Sequence, residues 1–255
     1  MQASTGIVST TGREGDEPVH LGVSLTGMGT AIRSVIGVRA AVLERGRSCR
    51  DSLVETSLLD TGIAWMTIVA AGYWATTAQL PKKLGSATAM IASYEVFPSA
   101  DGHVFVAAGN DRLFERVCEG LGRPGLTQDP RFATKPLRVE NRDALRKALG
   151  ALTRERTTRD IVASLQTVGA SCSELNDVAQ MLSNAQVGAS GMLQDLPVES
   201  ARGHRATELP VELNGERGGR FEAPPELGGS TDEILAALGC SFAEIGRLRD
   251  AKVVA

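Results

Sequence analysis

The sequence predicts a mixed chain of helices and short extended segments, with a compact α+β unit in its middle. Apolar residues recur at helical spacing from Gly27 to Arg45, at Met28, Ile32, Val35, Ile36 and Leu43. Strand-like runs at Tyr94–Phe97 and Val104–Ala108 flank a Ser99-Ala100-Asp101-Gly102 turn, and Asp-Gly between such runs signals a hairpin. Helical segments then follow one another from Asn110 to Gly169.

Residues 1–25 are rich in Gly, Ser and Thr and read as loop and short extended structure, with a polar turn at Arg13 to Glu17. The first helix covers about 27–45 and ends where Gly46 and Ser48 interrupt it. A second, long helix covers about 53–78 and stops before Pro81, because the residue ahead of a proline avoids the helical region. Both faces of the 104–108 strand are apolar, so it is expected to be covered on both sides. Asn110 caps a helix that runs through Leu121 and ends at Gly122. Helices at about 138–152 and 158–168, the latter closed by Gly169, complete a unit of about 100 residues, the size of a small domain. Past Asn176 come a short helix, extended segments at about 191–198 and 207–213, and a Pro- and Gly-rich linker from Gly215 to Gly229. Ser230 to Glu233 and Ser241 to Glu244 each match a capping box, with Gly239 as the stop between two final helices.

Hydrophobic residues make up 42% of the 255 but aromatics only 4%, so the core is aliphatic and alanine-rich. The net charge is −3 and Lys and Arg are spread along the chain; without a basic block, nucleic acid is not an expected partner. The four cysteines (Cys49, Cys118, Cys172 and Cys240) lack the short spacing of a zinc or redox site and read as buried or idle thiols in a reducing compartment. His20, His103 and His204 are too dispersed for a metal site. The first residues do not read as a secretory leader. Thr61 to Pro81 is uncharged over a bilayer's length, yet its threonines and alanines make it a buried helix and not a membrane span. The expected location is cytoplasmic, with no membrane partner.

Phosphate-loop patterns are missing: there is no GxxxxGK[ST], and Gly22 to Gly29 holds no GxGxxG in a strand-turn-helix frame. No serine sits in a GxSxG elbow. A Cys172–His103 pair is conceivable in space, but chance spacing is the better reading. Asp60 falls within an apolar stretch, where a buried carboxylate needs a partner or a raised pKa. Asn110-Asp111 is a helix cap before it is a ligand contact. Residue chemistry alone thus identifies no catalytic set.

The order of certain segments carries more information. These are QASTGIVSTTG at 2–12, SLLD at 57–60, SYEVFPSADGHVFVAAGND at 93–111, DPRFAT at 129–134, GASCSELN at 169–176, Gly191-Met192, and STDEILAALG at 230–239. In this order the chain resembles the C-terminal part of the family III CoA-transferases, the group of formyl-CoA transferase and carnitine CoA-transferase, related to the α-methylacyl-CoA racemases. The resemblance implies part of a Rossmann-like α/β large domain and a small α+β domain, in chains that interlock as a dimer. On that map residues 1–79 are the tail of the large domain's first pass, 80–180 the small domain and 181–255 the return segment.

The resemblance also implies a reaction. An aspartate attacks an acyl-CoA thioester to form a mixed anhydride, CoA thiolate converts this to an enzyme thioester, and an acceptor carboxylic acid takes the CoA. The family's aspartate lies a few residues before the position of Gln2, hence ahead of Met1, so no catalytic residue is expected within the chain. No bound cofactor is expected; a coenzyme A thioester is the substrate, and the partners are the acyl-CoA, the acid, and a second copy or a separate N-terminal half. Gly85, Ser86 and Thr88, with Tyr94 and Asn110, are the implied substrate-binding residues. The family's Gly-Asn-x-His-Pro loop is here Gly85-Ser86-Ala87-Thr88-Ala89; its Gly-x-Gly-Gln turn is Cys49-Arg50-Asp51-Ser52; its Gly-Val-Pro-Val-x-Asp-Leu is Gly22 to Met28; and Gly229-Ser230 replaces Glu-His. These departures keep a non-catalytic partner subunit as an alternative. Asn110, where racemases carry glutamate, favours the transferase branch over a racemase.

Overall fold

The computed structural model describes residues 1–76, 78–196, 203–218 and 225–254. It divides into two units, Met1–Leu175 and Asn176–Ala255. Thr77, the end of the 191–198 segment and residues 219–224 of the expected linker lie outside the described residues.

The first unit begins with a short helix, α1 (Ile7–Thr10), where loop was expected. Helix α2 (Leu25–Ser48) is longer than its apolar recurrence indicated. Gly46 does not break it, and Ser48 is held in it by donating from Oγ to the Glu44 carbonyl at 2.9 Å. The helix ends one residue later, where Cys49 turns left-handed at φ 54 and its N–H returns to Arg45 O.

The long helix expected over 53–78 is instead two short ones. Residues 51–57 are not helical. They run along α2, where Ser34 and Thr56 share a hydroxyl hydrogen bond of 2.7 Å. Ser57 then starts α3 (Leu58–Trp65) by accepting the Asp60 N–H at 2.9 Å. The helix breaks at Met66, where Thr67 Oγ1 donates to Ala64 O, and resumes as α4 (Thr67–Ala75). Asp60 is exposed in the first turn of α3, a favourable place for an anion, so the expected buried carboxylate is not found. The helix expected to be buried is also largely exposed within this chain, with Ile63, Trp65, Ile68 and Trp74 all open. Packing here relies on small residues. A Cβ on Gly62 would fall 2.5 Å from Thr5 Cγ2, and one on Gly29 3.1 Å from Thr61 Cγ2.

The hairpin forms as expected, from β1 (Tyr94–Pro98) and β2 (His103–Ala107), with Ser99 N–H bonded to Gly102 O across the turn. Behind it follow α5 (Asp111–Gly120), a 3-10 turn (Pro124–Gln128), α6 (Lys135–Glu140), α7 (Arg142–Arg154) and α8 (Thr158–Thr167). The helix expected over 138–152 is divided at Asn141 and extends at both ends. A further strand, β3 (Cys172–Glu174), pairs antiparallel with β2 and completes a three-stranded sheet in the order β1-β2-β3.

Alternation along the strands sends Val104 and Val106 of β2 into the core with Phe97 of β1. Helices α5, α7 and α8 cover them with Phe114, Val117, Leu145, Leu149, Ile161 and Leu165. The other face of β2 is only partly covered, contrary to expectation: Phe105 is half-buried and meets Tyr94 edge-on at 5.1 Å. Arg138, 2% exposed, is the largest buried side chain. It donates to Phe132 O, pairs with Asp111 and lies 4.4 Å over the Phe114 ring, which joins the DPRFAT segment to α5. Asp101, at the hairpin tip, accepts from both the N–H and the hydroxyl of Thr158 at the start of α8.

The second unit contains α9 (Val178–Ser183), α10 (Ala185–Ala189), strands β4 (Leu193–Asp195) and β5 (Arg205–Thr207) paired antiparallel, and a hairpin of β6 (Glu212–Leu213) and β7 (Glu216–Arg217). That hairpin occupies the front of the stretch read as linker. Its two-residue loop, Asn214-Gly215, has φ of 54 and 81, the left-handed pair that a tight hairpin demands. Helices α11 (Thr231–Ala237) and α12 (Phe242–Asp250) follow and are tied by Arg249 to Asp232 at 3.0 Å. The Ser241–Glu244 capping box is present; the one expected at Ser230 is not, since Ser230 makes no side-chain cap bond.

Candidate functional site

A cleft of about 680 Å³ opens beside the sheet of the first unit. Its wall on one side is β1. On the other, α7 presents Arg146, Gly150 and Arg154, which at four-residue spacing lie on one face of the helix. The Arg154 guanidinium lies over Gly150, its Nη1 3.5 Å from where a Cβ would stand.

The third wall comes from far upstream. Arg13 and Leu84 form an isolated antiparallel bridge, and the Gly85 N–H donates to Gly12 O at 2.8 Å. Gly85 has φ +67, and a Cβ there would meet Arg13 Cγ at 3.3 Å, so both backbone and space favour glycine. Ser86 fastens this loop to the sheet, its Oγ accepting the Val96 N–H at 3.0 Å. His103 and Leu175 close the end, joined by the Leu175 N–H to His103 O bond of 3.3 Å.

Glu95 is the unusual member. It shares the inward face of β1 with Phe97, and it is 1% exposed. Its Oε2 accepts from Arg146 Nε at 2.5 Å, while its Oε1 is buried with no hydrogen-bond partner. Burial raises its pKa above the usual carboxylate value, and the charges of Arg146 and Arg142 only partly offset this. Arg142 organises the neighbouring loop by donating to Thr88 O at 2.7 Å, Ala89 O at 2.9 Å and Ile91 O at 3.3 Å. Its own burial lowers its pKa.

Of the residues expected at the substrate site, Gly85 and Ser86 line this cleft. Thr88 is exposed and contributes its carbonyl to Arg142. Tyr94 occupies the opposite face of β1 from Glu95, against Phe105. Asn110 caps α5, accepting the Leu113 N–H at 2.9 Å. Cys172 and His103 are not brought together: Cys172 stands opposite Val106 and His103 opposite Pro98. Cys118 is buried, and that burial pushes its thiol up to about 12. Sequence reasoning passed over Glu95, Arg13, Arg146 and Arg154. The available signal was Glu95 itself, placed in phase with Phe97 on a strand.

Among the described residues, no group of three or more His, Cys, Asp or Glu lies close enough to hold a metal ion. No helix among them is long and apolar enough to cross a membrane. The cleft therefore offers guanidinium groups, one imidazole and one buried carboxyl, a set suited to anionic oxygen ligands.

The chain belongs to CoA-transferase family III, whose model matches residues 1–231. It is 30% identical over 239 residues to the succinate–glutarate CoA-transferase of Agrobacterium fabrum, an alignment covering 93% of this chain and 59% of that one. To the acetyl-CoA:oxalate CoA-transferase of Acetobacter aceti it is 28% identical, over 95% of this chain and 60% of the relative. The crystal structure of a CaiB/BaiF family protein from Brucella suis superposes with a TM-score of 0.74 at 30% identity, covering 93% of this chain and 61% of that structure. The mixed α/β fold with small antiparallel sheets is thus that of the family. The chain spans about three fifths of the length of these relatives.

Proposed function

We propose that this chain serves the transfer of CoA between an acyl-CoA and a short dicarboxylic acid, through a thioester on an aspartate. The family match over residues 1–231 carries the reading. The names of the relatives, which handle succinate, glutarate and oxalate, support the acid class. A carboxylate nucleophile divides the exchange into steps that each conserve an activated acyl bond. The aspartate oxygen displaces CoA thiolate from the donor. The thiolate returns to the aspartyl carbonyl and expels the donor acid. The acceptor carboxylate then attacks the aspartyl thioester and releases CoA thiolate, which attacks the acceptor's carbonyl in the new anhydride, leaving new acyl-CoA and the free aspartate.

In this proposal residues 1–79 are the tail of the large domain, 80–180 the small domain and 181–255 the return. Gly85, Ser86, Thr88, Tyr94 and Asn110 border the substrate. The attacking aspartate belongs ahead of Gln2, and the complete enzyme is a cytoplasmic homodimer. The exposed apolar residues of α2, among them Met28, Ile32, Ile36 and Leu43, support association with a second copy.

The test joins the segment that precedes the Gln2 position in a family relative to this chain, as a separate chain or a fusion. Succinyl-CoA is then supplied with glutarate or oxalate. Formation of glutaryl-CoA or oxalyl-CoA, abolished by Asn replacement of the supplied aspartate, is expected. No exchange with any acid would favour the non-catalytic subunit, for which the departures at Gly27, Asp51 and Thr88 speak.

A further inference from the structure

We propose that the cleft between β1 and α7 binds a compact dianionic oxyanion, gripped by Arg13, Arg146 and Arg154, with Glu95 orienting Arg146. This goes beyond the transfer reading, because the site is defined by this chain's own residues and its occupancy is measured without turnover.

The charges that face the cleft do not balance. Among its lining residues Glu95 is the acid, against Arg13, Arg146 and Arg154, with His103 at the end. Glu95 engages Arg146 through Nε, and among the described residues neither Nη group of Arg146 has a hydrogen-bond partner. The guanidinium groups of Arg13 and Arg154 make no hydrogen bond or ion pair among the described residues. Planar guanidinium donors match carboxylate or phosphate oxygens in paired geometry. The volume of about 680 Å³ falls in the range of small-molecule clefts.

Glu95 Oε1 supplies an independent sign. A carboxylate oxygen buried without a partner is costly, and the ordinary solution is a partner. In this proposal a ligand oxygen that reaches this now-covered atom provides one when Glu95 carries a proton, the form that burial favours. Binding is therefore expected to favour the protonated form of Glu95. Arg142, Asp143 and Arg146 face Glu95 from α7, and His103 lies at the cleft's end, so a His103 variant serves as the control.

The experiment is calorimetric titration of the 255-residue chain with succinate and, separately, with inorganic phosphate, at constant ionic strength set with chloride. Saturable one-to-one binding of either anion is expected; succinate alone marks a dicarboxylate site and phosphate alone a phosphoryl site. Arg154→Gln and Arg13→Gln, both of which leave the core untouched, are expected to weaken binding by about tenfold each, and Arg112→Gln on α5 to leave it unchanged. Tightening as pH falls is expected in the wild type and in His103→Gln but not in Glu95→Gln. Heats no larger than those with chloride, or wild-type affinity in both arginine variants, would overturn the site. Tightening that survives in Glu95→Gln and vanishes in His103→Gln would overturn the part assigned to Glu95.

Discussion

Glu95 on β1 and Arg146 on α7 are joined by a 2.5 Å hydrogen bond at the edge of an otherwise apolar core. The pair links strand to helix two residues from Phe97, which is buried in the core. Glu95 is buried but Arg146 is 43% exposed, so the pair is specific in geometry yet contributes little net stability, because the desolvation of Glu95 offsets the attraction. It also makes stability depend on pH. The folded pKa of Glu95 is raised above its ordinary value of 4.5, so the native state binds more protons than the unfolded chain just above that pH. Its contribution is full below the ordinary value and is lost as pH rises through the folded pKa. Urea unfolding is expected to show the wild type losing stability relative to Glu95→Gln as pH climbs from about 4 to about 8, by about 1.4 kcal/mol per unit of pKa shift. A wild type that gains on the variant over that range would refute the assignment.

Arg138 poses a different case, with its charge buried and its partner Asp111 mostly in solvent. Arg138→Ala removes the donor to Phe132 O, the contact over Phe114 and much side-chain volume. Because the carboxylate left behind is hydrated, the expected loss is about 3 kcal/mol, the lower end for breaking a buried pair. Asp111→Asn strands the cation instead, and in chemical denaturation it should also destabilise. A loss below about 1 kcal/mol in both variants would show that Arg138 is not structural.

Glycines in helices separate by their surroundings. At Gly120 an added Cβ would lie 2.9 Å from Leu165 Cδ2 and 3.2 Å from Leu165 Cα, so α5 and α8 cross too closely for a side chain. Gly120→Ala is expected to cost about 1–3 kcal/mol despite alanine's better helix propensity. Gly46, inside α2 with nothing within 4 Å, should respond oppositely, with Gly46→Ala stabilising by about 0.5–1 kcal/mol. Thermal unfolding of the two variants checks both signs.

The exposed face of α2 predicts association. Ile32, Ile36 and Leu43 are each more than half exposed. Sedimentation velocity should show concentration-dependent self-association that the triple replacement Ile32→Asp, Ile36→Asp, Leu43→Asp shifts to monomer while far-ultraviolet circular dichroism is kept. A wild type that remains monomeric at all concentrations would remove the second copy from the proposal.

What the sequence by itself determined was local. The β1–β2 hairpin was legible because Asp101-Gly102 and the flanking apolar runs act over a few residues, and the caps at Asn110 and Ser241 because a side chain and a nearby N–H decide them. The Asn214-Gly215 turn was equally local and was passed over in favour of a linker. The ordered family segments were legible too, since they need no coordinates. Only the tertiary structure decided the rest. It ended the long helix at Met66, added β3 to the sheet, and brought Arg13 against Gly85 across about 70 intervening residues. It also placed Glu95 inside and Arg146 beside it. Burial and charge pairing depend on residues distant along the chain, and no periodicity within one segment encodes which distant partner will arrive.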